Sequence, residues 1–155
     1  AAAEQGNQQR ADQATMSEEI TLGGVTLSAD LDWTDEFTAW RVGQNVRTSL
    51  TGAQIIQEAA LQSGRPITLE SGQDAGGSYY GVLTLAQVRA LQALEQVPGS
   101  APMLLTMPAH NSGDRSFDVI WRRTDGAAIE ARQIQRRWPQ LDDDFYTVTL
   151  RLMTA

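Results

Sequence analysis

The stretch that decides the fold is Phe145-Tyr146-Thr147-Val148-Thr149-Leu150-Arg151-Leu152-Met153. From Tyr146 to Leu152 every second residue is apolar, and the residues between them are polar. Because successive side chains of a β-strand point to opposite faces of a sheet, this alternation predicts a long strand. One of its faces is expected to be buried and the other to lie in solvent, as is typical of antiparallel sheets.

Shorter runs with strand character precede this stretch along the chain. Ile20, Leu22, Val25 and Leu27 flank Gly23-Gly24, which predicts two short strands joined by a turn or bulge. Further strands are predicted within residues 37–50, 67–69, 79–83, 103–107, 116–122 and 128–135. Residues 53–62 fit both a strand and a short helical face, so the sequence leaves this segment open.

One α-helix is predicted, over about residues 85–96. Thr84 can act as its N-cap, and Gln87, three residues later, can complete a capping box. Apolar residues then recur on one face from Leu85 to Leu94, until a Pro-Gly pair ends the helix. Short strands at close spacing around one helix predict a mainly β fold, either a β-sandwich or an open barrel with this helix inserted.

The 155 residues fit one domain. Residues 1–15 are rich in Ala, Gln and Asn and show no apolar periodicity, so we interpret them as a flexible N-terminal extension. Met16 then suggests where the natural domain begins, which makes the extension either an upstream segment, a mis-assigned start or non-native sequence. Residues 16–155 are expected to form a single β-sandwich-like domain.

Composition excludes several classes of protein. The chain has no cysteine, which rules out disulfide scaffolds, thiolate metal sites and thiol chemistry, and its single histidine rules out a multi-histidine zinc site. The net charge of −7 lies entirely within residues 1–40, and every basic residue is an arginine. Such an anionic segment repels phosphate backbones, so we expect no nucleic-acid partner. No apolar run is long enough for a membrane span.

No motif predicts an enzyme. His110 has Ser112 and Asp114 beside it, but residues so close in sequence rarely reach the geometry of a catalytic triad. The acidic clusters, residues 30–36 and 142–144, lack the spacing of a calcium-binding loop and are interpreted as solvated runs. The glycines of residues 72–77 match no phosphate-binding motif. We therefore expect no catalytic, cofactor-binding or metal-binding residue, although a hydrolase with two carboxylates needs no motif.

Four tryptophans provide an alternative to a purely structural role. Trp33, Trp40, Trp121 and Trp138 could stack on sugar rings, as in a small carbohydrate-binding module. That function would need at least two of them on one exposed face. Packing in the core or in an interface is the more frequent use of such large rings, and it is the interpretation we favour.

The order of several segments resembles structural proteins of bacteriophage tails. Trp40 is followed by Val46-Arg47-Thr48-Ser49-Leu50-Thr51-Gly52, then by Gly64-Arg65-Pro66-Ile67-Thr68-Leu69, by the predicted helix and by the closing strand. This order is similar to small tail-tip and baseplate proteins of the distal tail protein family, over roughly residues 20–153. The resemblance implies a β-sandwich with a helix, and it favours a strand for residues 53–62.

The function implied by this resemblance is assembly of a virion tail. Such proteins form rings, commonly six-fold, that connect the tail tube to the hub, baseplate or tip. The expected partners are therefore further copies of the chain and neighbouring tail tube or hub proteins, with the acidic first quarter seated against a basic partner or a neighbour. The candidate subunit-interface residues are Trp40 and the arginines Arg47, Arg65, Arg122, Arg123, Arg136 and Arg137.

Overall fold

The computed structural model describes residues 19–39, 41–108 and 114–155. Within these ranges the chain is mainly β, with antiparallel sheets and a single α-helix, which confirms the predicted fold class. The predicted extension, residues 1–15, and the predicted domain start at Met16 lie outside the described residues.

Every predicted strand run contains at least part of a strand, and residues 53–62 contain a strand rather than a helix. In chain order the strands are β1 (Ile20–Leu22), β2 (Val25–Leu27), β3 (Asp32–Trp33), β4 (Val42–Thr48), β5 (Gln54–Ala60), β6 (Pro66–Glu70), β7 (Gly72–Gln73), β8 (Tyr79–Tyr80), β9 (Leu83–Thr84), β10 (Met103–Pro108), β11 (Asp114–Trp121), β12 (Ile129–Gln133) and β13 (Phe145–Thr154). The helix, α1 (Leu85–Glu95), lies between β9 and β10.

Nine of the strands form one antiparallel sheet with β13 at its centre. The order is β2-β1-β10-β11-β13-β6-β3, and β9 and β12 also pair with β13. Each edge of β13 therefore carries two strands in line, β11 and β12 on one side and β6 and β9 on the other. Leu152 shows the arrangement, since it faces Trp121 on one edge and Ile67 on the other.

The buried face of β13 is the one that the alternation predicts. Tyr146, Val148, Leu150 and Leu152 are all buried, whereas the residues between them are half-buried. Their neighbours on β6, β9 and β11, namely Ile67, Leu69, Leu83 and Trp121, are buried as well. The hydrophobic core thus follows β13 along its length.

Helix α1 begins as the capping box predicts. The Gln87 backbone N–H donates to the Thr84 hydroxyl at 3.4 Å, and the Thr84 backbone N–H donates to the Gln87 side chain at 2.9 Å. Two of the free N–H groups at the helix start are thereby satisfied. Leu85 and Leu91 are buried against the sheet, so the helix covers part of the core.

The sheet folds around this core without closing into a barrel. Its outermost strands are β2 and β3, which do not pair with each other. Leu22 of β1 and Leu69 of β6 are fully buried in one hydrophobic cluster, although three strands lie between β1 and β6 in the sheet. Side chains from distant parts of one sheet therefore cover one another, which gives the domain its sandwich-like character.

A pair of leucine variants tests the importance of β13. We expect Leu150→Ala to lower the free energy of unfolding by about 2–5 kcal/mol, because it leaves a cavity in the core between β6 and β12. Leu50→Ala removes a fully exposed side chain and should change this free energy by less than about 0.5 kcal/mol. Urea unfolding of both variants is the measurement, and equal losses would contradict a core centred on β13.

Candidate interaction surface

One part of the chain projects from the sheet. Strands β4 and β5 pair with each other over seven residues and with no other strand in the described ranges. A further hydrogen bond, from the Leu61 N–H to the Arg41 carbonyl at 2.8 Å, extends this ladder by one pair. We call residues 41–61 the β-arm. In its two strands every residue is exposed apart from the half-buried Gly43.

Local interactions close the tip of the β-arm. The Ser49 N–H donates to the Ala53 carbonyl at 2.8 Å, and the Gly52 N–H donates to the Ser49 carbonyl at 3.0 Å. Gly52 has φ +85°, a conformation that a side chain disfavours and that glycine adopts without cost. This turn places Leu50 fully in solvent at the tip.

Register divides the β-arm into two faces, because directly opposed residues of an antiparallel pair lie on the same side. On the first face, apolar pairs alternate with polar ones: Val46 lies opposite Ile56, and Gln44 lies opposite Glu58. The Gln44 side chain donates to the Glu58 carboxylate at 2.6 Å, so this polar pair is satisfied within the β-arm. The exposed aliphatic side chains of Val46 and Ile56 are therefore the part of this face that a partner could bind.

The second face carries charge at both ends. Arg47 lies opposite Ile55 near the tip, and the ladder hydrogen bond pairs Arg41 with Leu61 at the base. Small and polar residues fill the positions between them. Arg47 is exposed. It forms no ion pair with any residue in the described ranges.

A groove of about 660 Å³ lies at the base of the β-arm. Arg41 and Leu61 line one side of it, and Pro66 and Phe117 of the main sheet contribute to its lining. The β-arm and this groove thus form one continuous surface, with aliphatic and aromatic groups beside two guanidinium groups, those of Arg41 and Arg65.

The guanidinium of the half-buried Arg65 has partners within the chain. It lies 4.8 Å from the centre of the Trp33 ring and donates to the Glu36 carbonyl at 2.9 Å. Arg115 lies 5.0 Å from the same ring and pairs with the Glu36 carboxylate at 2.6 Å. Cation–π attraction and these hydrogen bonds use the charge of Arg65 within the chain.

Arg122 is also engaged within the chain. Its guanidinium donates to the Thr68 hydroxyl at 2.9 Å and lies 3.8 Å from the Asp35 carboxylate. Asp35 in turn accepts hydrogen bonds from the Thr68 N–H and hydroxyl, both at 2.9 Å. A second carboxylate, that of Asp125, accepts from Arg122 at 2.9 Å. With its side chain only 12% exposed, Arg122 has little surface left for a subunit contact.

The remaining candidate interface residues differ in their surroundings. Arg123 pairs with Glu95 at 3.0 Å, and Arg137 pairs with Asp144 at 3.1 Å. Arg136 is exposed and forms no ion pair within the described part of the chain. Trp40 lies outside the described residues. Of Arg122, Arg123, Arg136 and Arg137, only Arg136 thus lacks a carboxylate partner among the described residues.

Sequence reasoning missed the roles of Asp35 and Glu36. The acidic first quarter was expected to meet a partner, but these two residues contact Arg122 and Arg115 of the same chain. Their partners lie 79 or more positions away in sequence, so no local spacing identifies them. The sequence offers one clue to these contacts. Acids outnumber bases in residues 1–40, whereas acids and bases are equal in number in the rest of the chain.

The acidic clusters form no metal site among the described residues. No three potential ligands come together there. Asp144 accepts hydrogen bonds from Arg137 and from the Leu141 N–H, and Asp32 accepts from the Tyr80 hydroxyl at 2.7 Å. This last hydrogen bond is the main cause that raises the Tyr80 pKa above its ordinary value of 10.0, with desolvation acting in the same direction. His110 lies outside the described residues.

Comparison with known proteins gives no relative. No protein-family model, curated protein or solved structure matches the chain. Among the described residues, no helix is both long and apolar enough to span a membrane.

The contacts of Asp35 can be tested by stability measurements. We expect Asp35→Ala to lower the free energy of unfolding by about 1–3 kcal/mol, because it leaves the buried Thr68 N–H without its acceptor. Asp143→Ala is the matched control, since Asp143 is exposed and should contribute less than about 0.5 kcal/mol. Urea unfolding at neutral pH measures both variants. An Asp35→Ala variant with an unchanged free energy of unfolding would refute the structural role of this acid.

Proposed function

We propose that this chain is a non-enzymatic structural protein of a bacteriophage virion. In this proposal it acts at the distal end of the tail, where it forms or joins a ring that connects the tail tube to the hub, baseplate or tip. Its partners are further copies of itself and neighbouring tail tube or hub proteins. The observation that carries the proposal is the β-arm, a projecting two-stranded ribbon with exposed aliphatic side chains.

An isolated β-arm of this kind is poorly suited to a protein that acts alone. A two-stranded hairpin is marginally stable in water, because it has no third strand or helix to cover its apolar side chains. No other described strand pairs with either outer edge of the ribbon, and unpaired strand edges favour pairing with another chain. A subunit of an assembly resolves both problems, since a neighbour covers the faces and edges.

The resemblance to tail-tip proteins supports the same role. Its most distinctive run, residues 64–69, forms the turn into β6 and most of that strand, which pairs directly with β13. A ring of identical subunits needs no catalytic group, metal or cofactor, so the proposal requires none.

The tryptophans do not favour the carbohydrate-binding alternative. Trp121 is buried in the core, and the half-buried Trp33 is covered by Arg65, Arg115 and the edge of Phe117. Trp138 is 85% exposed, but neither of the other two described tryptophans shares an exposed face with it. We therefore propose no second function.

Location in the virion is the direct test of the proposed function. Antibodies against the purified chain, detected with gold particles in the electron microscope, should label the distal ends of tails in a phage lysate of the source strain. Pre-immune serum is the control and should label no structure. Tail particles that contain no peptide of this chain by mass spectrometry would overturn the proposal.

The β-arm can be tested separately with tails that were assembled without this chain. We expect the double variant Val46→Ser and Ile56→Ser to bind such tails about tenfold more weakly in co-sedimentation, because it removes exposed apolar surface from the first face.

The matched control for that experiment is the double variant Val97→Ser and Leu141→Ser. Val97 and Val46 are both 51% exposed, but Val97 and Leu141 lie outside the β-arm. The control should bind tails as the unchanged chain does. Equal weakening by the two double variants would show that the β-arm has no special role.

A further inference from the structure

The second face of the β-arm carries an unused charge beside an exposed aliphatic group. Arg47 and Ile55 are direct cross-strand neighbours, and both are exposed. Arg47 has no carboxylate partner in the described ranges. A flexible basic side chain next to an apolar one is a combination that suits the edge of a protein interface.

The main sheet presents the complementary combination on its outer surface. Leu104 of β10 lies directly opposite Asp118 of β11. Their sequence neighbours Leu105 and Val119 are buried, so the alternation of a strand turns Leu104 and Asp118 outward. Both are exposed, and Asp118 forms no ion pair with another described residue.

We propose that the Arg47–Ile55 pair of one copy binds the Leu104–Asp118 pair of a second copy. Each pair joins one exposed aliphatic side chain to one unpaired charge, and the two charges are opposite. The contact would therefore combine an intermolecular ion pair with burial of Ile55 against Leu104. This inference rests on the proposed function and names the surface through which neighbouring subunits join.

Charge favours a second copy as the occupant of this face. The β-arm holds two arginines, Arg41 and Arg47, against one acid, Glu58, and so is net positive in a chain whose net charge is −7. Asp114 lies on the same outward face of β11 as Asp118, because the two are four residues apart in one strand. The surface of a second copy thus supplies acids at the place where the β-arm supplies bases.

The arrangement also fits a ring. The two complementary pairs lie on different strands of the same chain, so each copy offers one of each. When the two pairs of one copy meet two different neighbours, the contact is heterologous and repeats head to tail, and it closes into a ring where the rotation between subunits allows. A symmetric dimer would instead require both pairs to meet between the same two copies.

Sedimentation velocity of the full chain and of three charge variants tests this inference. The unchanged chain should self-associate, and Arg47→Asp and Asp118→Arg should each raise the dissociation constant at least about tenfold, because like charges then meet. Arg132→Asp is the control, since it changes the net charge as Arg47→Asp does, while Arg132 is exposed, forms no ion pair among the described residues and lies outside both pairs. It should associate as the unchanged chain does.

A mixture of two variants is the decisive part of this experiment. An equal mixture of the Arg47→Asp and Asp118→Arg variants should regain association, because each then finds an opposite charge on the other. If only repulsion between the overall charges of the copies controlled association, the result would differ. Asp118→Arg would then associate more strongly than the unchanged chain, because its net charge is less negative. Recovery in the mixture also shows that both variants are folded.

Four outcomes would overturn the inference. The unchanged chain could be monomeric at all concentrations, or the Arg47→Asp and Asp118→Arg variants could associate normally. The Arg132→Asp control could associate as weakly as Arg47→Asp, or the mixture of the two variants could fail to regain association. A monomer that still binds tails would assign the β-arm to a different tail protein and leave the proposed function intact. Association through Arg47 and Asp118 in a chain that is absent from tails would instead overturn the proposed function alone.

Discussion

Backbone pairing along β13 is the constraint on which the rest of the structure depends. This strand is bonded on both edges, and each edge is shared by two strands separated by an excursion of the chain, residues 122–128 on one side and 71–82 on the other. A shift of one residue would turn its whole apolar set to solvent. Four strands therefore take their register from the alternation of a single stretch, and the sheet and its core follow from it.

Arg122 shows how polar groups reinforce this arrangement. It lies where the chain leaves β11, and it reaches across β13 to Thr68 of β6 while also donating to the Leu152 carbonyl at 3.2 Å. Its partly buried pairing with Asp35 gains less than the Coulomb energy suggests, because both groups lose water. Its effect on the geometry is clearer than its effect on stability. One guanidinium links β11 and β6, the two strands beside the end of β13, and holds the segment that contains Asp35 against them.

Features with a local cause were predictable from the sequence. The buried face of β13, the capping box at Thr84 and the turn at Gly23-Gly24 each depend on residues a few positions apart, and each appears as predicted. Most of the surroundings of the arginines were not predictable, because Arg65 meets Glu36 across 29 positions and Arg122 meets Thr68 across 54. The β-arm was missed for a related reason. A strand was predicted within residues 37–50, and residues 53–62 were left open with the resemblance favouring a strand, but exposure depends on which other strands fail to pair with these two.

The β-arm adds nothing to the core, since none of its residues belongs to the hydrophobic cluster. Its hydrogen bonds are shielded by few buried contacts, so it opens at a lower free energy than the strands around β13. Free edges and exposed aliphatic groups would promote unspecific association in a neutral protein, but a net charge of −7 opposes the approach of identical copies. That repulsion is weakest where the arginines of the β-arm face acids. In the proposed assembly, the acidic composition would suppress most contacts between copies, and the basic β-arm would select the orientation in which a contact is favourable.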